Sequence, residues 1–321
     1  MPVRRTTSAV LLSTVLLAAA CGGSDNGGGS SKNESTADSK IVVLQDDKHL
    51  QTVDNIIPVV RTAVAKPPLT DALNKVSAAL TTAKLIELNR DVDLERKDPD
   101  EVAKSFVADE SLSGGSGSSG SGKITVAVAN FSENQILGNI YAEVLKSAGY
   151  SATVKQLTNR EVYEPALEKG QLDVVPEYVG TLTEFLNKKA NGPNAPAKAS
   201  SDTAATVTAL RALAEPRGLT VLEPAEAQDV NAFAVTKKFA DKHNFKTLSD
   251  LAKYDGNLVL GGPPECPTRP FCRPGLEKTY GLKFSGFRSL DAGGPLSKQA
   301  LKQGKVQVAL IFSSDASIET S

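Results

Sequence analysis

The sequence predicts an α/β protein of two lobes. Strand-length β-branched runs alternate with stretches whose apolar residues repeat at helical spacing, the pattern of mainly parallel sheets covered by helices. The number of such units exceeds one small domain, and 321 residues with 40% hydrophobic side chains are enough for two cores. The break between lobes is expected near Asp229–Asn231.

The chain opens on a targeting pattern. Arg4 and Arg5 precede a short apolar run, Ala9–Ala20, and Leu17-Ala18-Ala19-Ala20-Cys21 sets small residues before a cysteine. The run is too short to span a bilayer. It resembles a bacterial lipoprotein signal (1–20), with Cys21 lipidated; a plain signal peptide is the alternative. Residues 21–39 are Gly/Ser/Asp-rich and read as a flexible tether.

Ile41–Leu44 reads as a short buried strand, and Asn55–Val60 as a second, with Pro58 marking an edge or a crossover. Thr70–Leu88 reads as one amphipathic helix capped by Thr70. Asp98-Pro99-Asp100-Glu101 opens another, with proline and acids in its first turn. Residues 113–122, SGGSGSSGSG, form a linker. Lys123–Ala129 is then a β-branched strand, Ser132 a helix cap, and Ile136, Leu137, Ile140, Val144 and Leu145 the apolar face of the helix that follows. Leu172–Val175 is the next clear strand, and Pro176–Thr181 leaves it for a helix. Ligands of open α/β sheets bind where strands end and helices begin, so Asn130–Gln135 and Glu177–Thr181 are expected to face one cleft. Further on, Thr203–Ala214 and Leu296–Lys302 read as helices, and Asn231–Thr236, Asn257–Leu260 and Val306–Phe312 as strands. The expected organisation is 40–112 (a return strand and helices), the linker 113–122, the first lobe 123–229 and the second 230–321.

Charge and cysteine content narrow the function. With 36 basic and 37 acidic residues there is no electrostatic footprint for nucleic acid. The two histidines, His49 and His243, lack metal-ligand spacing, and no nucleophile motif stands out, which weighs against an enzyme and against a metal or cofactor site. Cys266 and Cys272, six apart in a Pro-rich loop of an exported chain, are expected as a disulfide, with two free thiols as the alternative. Gly261-Gly262 and Gly293-Gly294 read as tight strand-to-helix turns, and Glu161 and Glu164 as a solvated helix face.

Several motifs together carry a resemblance. ANFSENQILGNIYAEVL, NREVYEPALEKGQLDVVPEYVGT, NAFAVTK, LGGPPE and LDAGGPLSKQALKQGKVQVALIFSSD resemble the substrate-binding proteins of osmoprotectant ABC importers, over nearly all of Ile41–Asp315. The resemblance implies a two-lobed, hinge-closing, type II periplasmic-binding-protein-like fold. It also implies capture of a quaternary amine such as glycine betaine, choline or carnitine, delivery to ABC permease subunits, and a monomer lipid-anchored outside the membrane. In that family the segment like IVVLQDDKHLQTVDNIIPVV follows the SSD strand; here it precedes KITVAV. The chain thus looks circularly permuted, with SGGSGSSGSG joining the family's usual ends and a hinge expected to be weakened by a free strand end. An engineered permuted sensor, or a binder of another small polar solute, is the alternative.

By the same resemblance Tyr178 and Thr181 contact ligand, Tyr178 through its ring, since a quaternary ammonium is held by aromatic faces. Arg269 takes a ligand carboxylate, Phe312 stands where a cage ring is common, Asp229 where an acid faces the cation, and Gln135 lines the first lobe. Asn231 and Val53 replace family tyrosines and Ala129 a lysine, which implies a weakened cage.

Overall fold

The computed structural model describes residues 40–113 and 120–318; the signal, Cys21, the tether and most of the linker lie outside the described residues. In chain order the elements are β1 (Ile41–Leu44), β2 (Ile56–Arg61), α1 (Pro67–Ala79), α2 (Thr82–Asp93), α3 (Pro99–Asp109), β3 (Lys123–Val128), α4 (Ser132–Ser147), β4 (Ser151–Gln156), α5 (Arg160–Glu168), β5 (Val174–Tyr178), α6 (Val179–Asn191), α7 (Thr203–Ala214) and β6 (Leu219–Val221). They continue with β7 (Asn231–Thr236), α8 (Lys237–His243), α9 (Leu248–Leu251), β8 (Val259–Gly262), α10 (Arg273–Gly275), β9 (Gly286–Ser289), α11 (Pro295–Lys302) and β10 (Val308–Phe312).

Two five-stranded sheets result, ordered β4-β3-β5-β2-β6 and β9-β8-β10-β7-β1. They share one topology. In each, the fourth strand, β2 or β7, runs antiparallel to its neighbours, and the first three strands are parallel. The expectation of mainly parallel sheets holds for those three. The reversed strands are the ones that enter a sheet from the other lobe: β2 arrives from β1, and β7 from β6. The two crossovers, 45–55 and 222–230, touch where Asp229 N donates to Asp54 O at 3.1 Å. The second crossover ends at Val230, where β7 begins at Asn231.

Apolar periodicity explains the layers. One face of the first sheet is covered by α1–α4 through Leu69, Leu73, Phe106, Ile136 and Ile140, the other by α5–α7 through Leu167, Leu182 and Leu210. The second sheet buries Phe233, Val235, Leu260 and Leu276 on one face and Ala300, Leu301 and Ile311 on the other. Each such Leu, Ile, Val or Phe side chain contributes about 1.5–3 kcal/mol.

Several expectations are corrected. The single helix Thr70–Leu88 is two helices. Pro67 and Pro68 start α1, not Thr70. Leu80 is extended, which frees its carbonyl to accept Ala227 N at 3.1 Å, and Thr81 caps α2 by accepting from Lys84 N. Ser132 does not cap α4; it is the first helical residue, after Phe131. Here Asn134 orders the strand end instead, accepting from Ala129 N at 2.7 Å and donating to Pro176 O at 3.1 Å. β5 extends through Pro176 to Tyr178, beyond the expected Val175. Pro176 lies directly opposite Pro58 of β2. β1 is a partly exposed edge strand. Asp98 does cap α3, accepting from Asp100 N, and Cys266 and Cys272 are bonded, with Cα atoms 5.2 Å apart.

Candidate functional site

A cavity of about 500 Å³ opens between the two sheets. The first lobe contributes Phe131, Arg160, Glu161, Tyr178, Thr181 and Phe185; the second contributes Asn231, Glu265, Arg269, Phe271, Asp291 and Phe312, with Asp54 and Asp229 from the two crossovers. Both strand tips anticipated from the sequence therefore face it.

Three neighbouring aromatic rings line it. Phe131, at the turn between β3 and α4, has its ring centroid 6.3 Å from that of Tyr178, at the tip of β5, and 5.5 Å from that of Phe312, at the end of β10. Phe131 is the bridge between the lobes' aromatics, and sequence reasoning passed over it. Its signal was present: an aromatic in a polar strand-to-helix turn is anomalous unless a cleft covers it.

Acids form the floor, with a further one behind it. Glu133, in the first turn of α4, is buried and accepts from Tyr178 Oη at 2.8 Å, Asn89 Nδ2 at 2.8 Å and Ser314 Oγ at 2.5 Å. Asp229 accepts from Ser314 N at 3.2 Å and lies 2.8 Å from Ser314 Oγ. Burial pushes both carboxyls above their usual range, and the charge of Glu133 adds to the rise at Asp229.

Asp54, on the first crossover, sits over the start of α6 and accepts from Gly180 N at 2.8 Å and Thr181 N at 3.0 Å. Those donors and Arg160 favour its ionised form, yet burial outweighs them and raises its pKa to about 7. Only glycine fits at 180, since a Cβ there would stand 2.3 Å from Val53 O. The folded state thus binds Asp54's proton more tightly than the unfolded chain, so this carboxyl makes stability fall as pH rises from its ordinary 3.8 to about 7, and level off above. Urea melts at pH 5 and pH 8, values bracketing part of that window, should differ less for Asp54→Asn than for the native protein; equal differences would refute the assignment.

Beside the floor, Arg160 and Glu177 form a buried bidentate pair at 2.8 and 2.6 Å. Arg160 also donates to Thr181 Oγ1 at 2.9 Å, and Tyr163 Oη donates to Glu177 at 2.7 Å. At the rim, Arg269 of the second lobe makes a bidentate contact with Glu161 of the first at 3.2 and 2.9 Å, and Asn159 Nδ2 reaches Glu265 at 3.3 Å. The Cys266–Cys272 bond clips the loop that carries Arg269.

Of the residues singled out from the sequence, Tyr178, Thr181, Arg269, Phe312, Asp229 and Asn231 line the cavity. Gln135 does not: it lies in the second half of the first turn of α4, and it is Phe131 that faces the cavity while Glu133 and Asn134 turn into the core. Asn231 is held by Phe271 O at 3.4 Å. Glu161 is exposed as expected, but Glu164 is buried, its carboxylate 2.6 Å from the Lys189 ammonium of α6. Glu133, Asp54, Arg160 and Glu177 escaped notice because a charged residue signals burial only once its partner, distant in sequence, is known.

A family model described as the substrate binding domain of ABC-type glycine betaine transport systems matches residues 35–109 and 122–320. Among curated proteins, the chain is similar to the glycine betaine-binding protein YehZ of Escherichia coli strain K12, 29% identical over 195 residues that cover 58% of this chain and 62% of the relative. It is also similar to a glycine-betaine-binding protein of Pseudomonas aeruginosa, 29% identical over 177 residues covering 51% and 53%. The chain thus spans little more than half the length of these curated relatives. Among solved structures, one titled as a glycine betaine/carnitine/choline ABC transporter aligns with a TM-score of 0.38 at 24% identity, covering 59% of this chain and 68% of that one.

Proposed function

Because the chain belongs to the family of substrate-binding domains of ABC-type glycine betaine transport systems, we propose that it captures a quaternary-amine osmoprotectant, such as glycine betaine or choline, between its lobes. The observation that carries this is the cluster of Phe131, Tyr178 and Phe312 rings above buried acids. A trimethylammonium group offers no hydrogen-bond donor. It is held by ring faces, each worth about 0.5–2 kcal/mol, with negative charge nearby. Thr181 and Asn231 supply polar contacts around it, and Arg269 is the group for a ligand carboxylate.

One observation favours a ligand without that carboxylate. Arg269 is already matched by Glu161 across the cleft, so a betaine has to displace Glu161 while choline does not. Thermal-shift titrations with glycine betaine, choline, carnitine, proline betaine and ectoine test both points. A true ligand at a hundredfold excess over its Kd stabilises by about 2.7 kcal/mol. Choline should shift the midpoint more than glycine betaine; no shift with any of the five would overturn the assignment.

On this reading the protein is a monomeric, non-enzymatic receptor that hands its solute to ABC permease subunits outside the membrane, anchored through a lipid on Cys21. No helix among the described residues is long and apolar enough to cross a bilayer. The chain is also a circular permutant, residues 40–112 being the displaced C-terminal part of the family fold. The packing of Ile318 and Ile41 against one apolar cluster supports this.

A further inference from the structure

Ser314 Oγ lies 2.5 Å from Glu133 Oε2 and 2.8 Å from Asp229 Oδ1. A hydroxyl has one hydrogen, and an ionised carboxylate only accepts. With both acids ionised, one of these two short contacts would set lone pair against lone pair. We propose that Glu133 and Asp229 hold one proton between them across Ser314, and that a quaternary ammonium entering the cavity beside Asp229 displaces it, so that solute capture releases a proton. The displacement rests on the function proposed above; the shared proton does not.

Among the described residues, the groups facing the pair supply no charge to replace that proton. α2 offers the neutral Asn89, β5 the neutral Tyr178 hydroxyl, and the first crossover the acid Asp54, whose charge acts unfavourably on Asp229. Arg160, which faces Asp54, is committed to Glu177 and Thr181. Asp315, next to Ser314, is matched by Lys298 at 2.5 Å. Burial of both acids favours the protonated form, in keeping with the geometry.

The pair is also placed to sense a solute. Asp229 lines the cavity, and Glu133 stands behind it against Tyr178, one of the cavity's rings. A fixed cation beside Asp229 reverses the local balance, because opposite charge favours the ionised carboxyl. The proton passes to solvent as the cation enters, so charge in the cavity is conserved.

Calorimetric titration with choline chloride at pH 7, in phosphate and in Tris, counts the protons exchanged, since the two buffers differ in ionisation enthalpy. About one proton should be released per choline bound, with affinity rising up to about tenfold per pH unit while the pair stays protonated. Asp229→Asn, which removes the acid facing the cation, should bind choline more weakly, and both it and Glu133→Gln should release about one proton fewer per choline than the native protein. Choline binding to the native protein without proton release overturns the displacement and leaves the proposed function standing. Infrared spectra of the ligand-free protein at neutral pH test the shared proton separately. They should contain a protonated-carboxyl stretch that Glu133→Gln removes, and its absence overturns the shared proton whether or not choline binds. Failure of every quaternary amine to bind overturns the proposed function and the displacement together.

Discussion

Arg160→Met should cost about 3–5 kcal/mol of stability in urea melts, enough to unfold a marginal domain at 37 °C. The arginine is 4% exposed and its partner Glu177 1%. Burial alone would lower the arginine's pKa; the Glu177 carboxylate outweighs it and holds the guanidinium above its usual range. Removing Arg160 leaves a carboxylate in the sheet interior with, among the described residues, Tyr163 Oη and Tyr178 N as its donors. The cost therefore lies in the stranded charge more than in the lost attraction. Pairing Arg160→Met with Glu177→Leu should recover much of the loss, because apolar replacement of a whole buried pair is often neutral or stabilising. A single-variant loss below about 1 kcal/mol would mean that water reaches Glu177.

Phe131→Ala should weaken binding of a trimethylammonium ligand by about 2- to 30-fold, the range of one ring face at about 0.5–2 kcal/mol. Tyr178→Ala should weaken it more, since it also removes the hydroxyl that donates to Glu133. Tyr178→Phe separates the two contributions by keeping the ring. The uncharged tert-butyl analogue of choline has the same shape without the charge, so its binding should respond much less to Phe131→Ala. Equal losses for the cation and its neutral analogue would reduce the rings to apolar packing.

Much of this architecture was legible in the residues. Thr203–Ala214 and Asn231–Thr236 occupy the spans their patterns predict, since each is an uninterrupted run of one period. Boundaries failed where a distant contact decided them. The helix break at Leu80 depends on Ala227 needing a carbonyl, and the length of β5 on β2 lying beside it. The site divides in the same way. Tyr178, Arg269 and Phe312 follow from the family resemblance, and all three line the cavity. Glu133 beneath them does not follow from it, since it reads as an ordinary first-turn carboxylate until Asn89, Tyr178 and Ser314 are brought to it from three other segments.

The facing prolines of β2 and β5 bear on how the chain finds this arrangement. A proline nitrogen offers no hydrogen to a neighbouring strand. Opposed as they are, Pro58 and Pro176 can form only a rung without mutual hydrogen bonds. A slip of one residue would set a proline nitrogen against a carbonyl and turn every side chain of β2 to the wrong face. The two rings thus act as a registration key during assembly: mispaired forms are penalised before the sheet closes. The paired register brings Ile56 opposite Tyr178 and Asn55 O onto Val179 N, so Asp54 arrives over the start of α6. Replacing both prolines would put that alignment, and with it the cavity floor, at the mercy of slower sorting among registers.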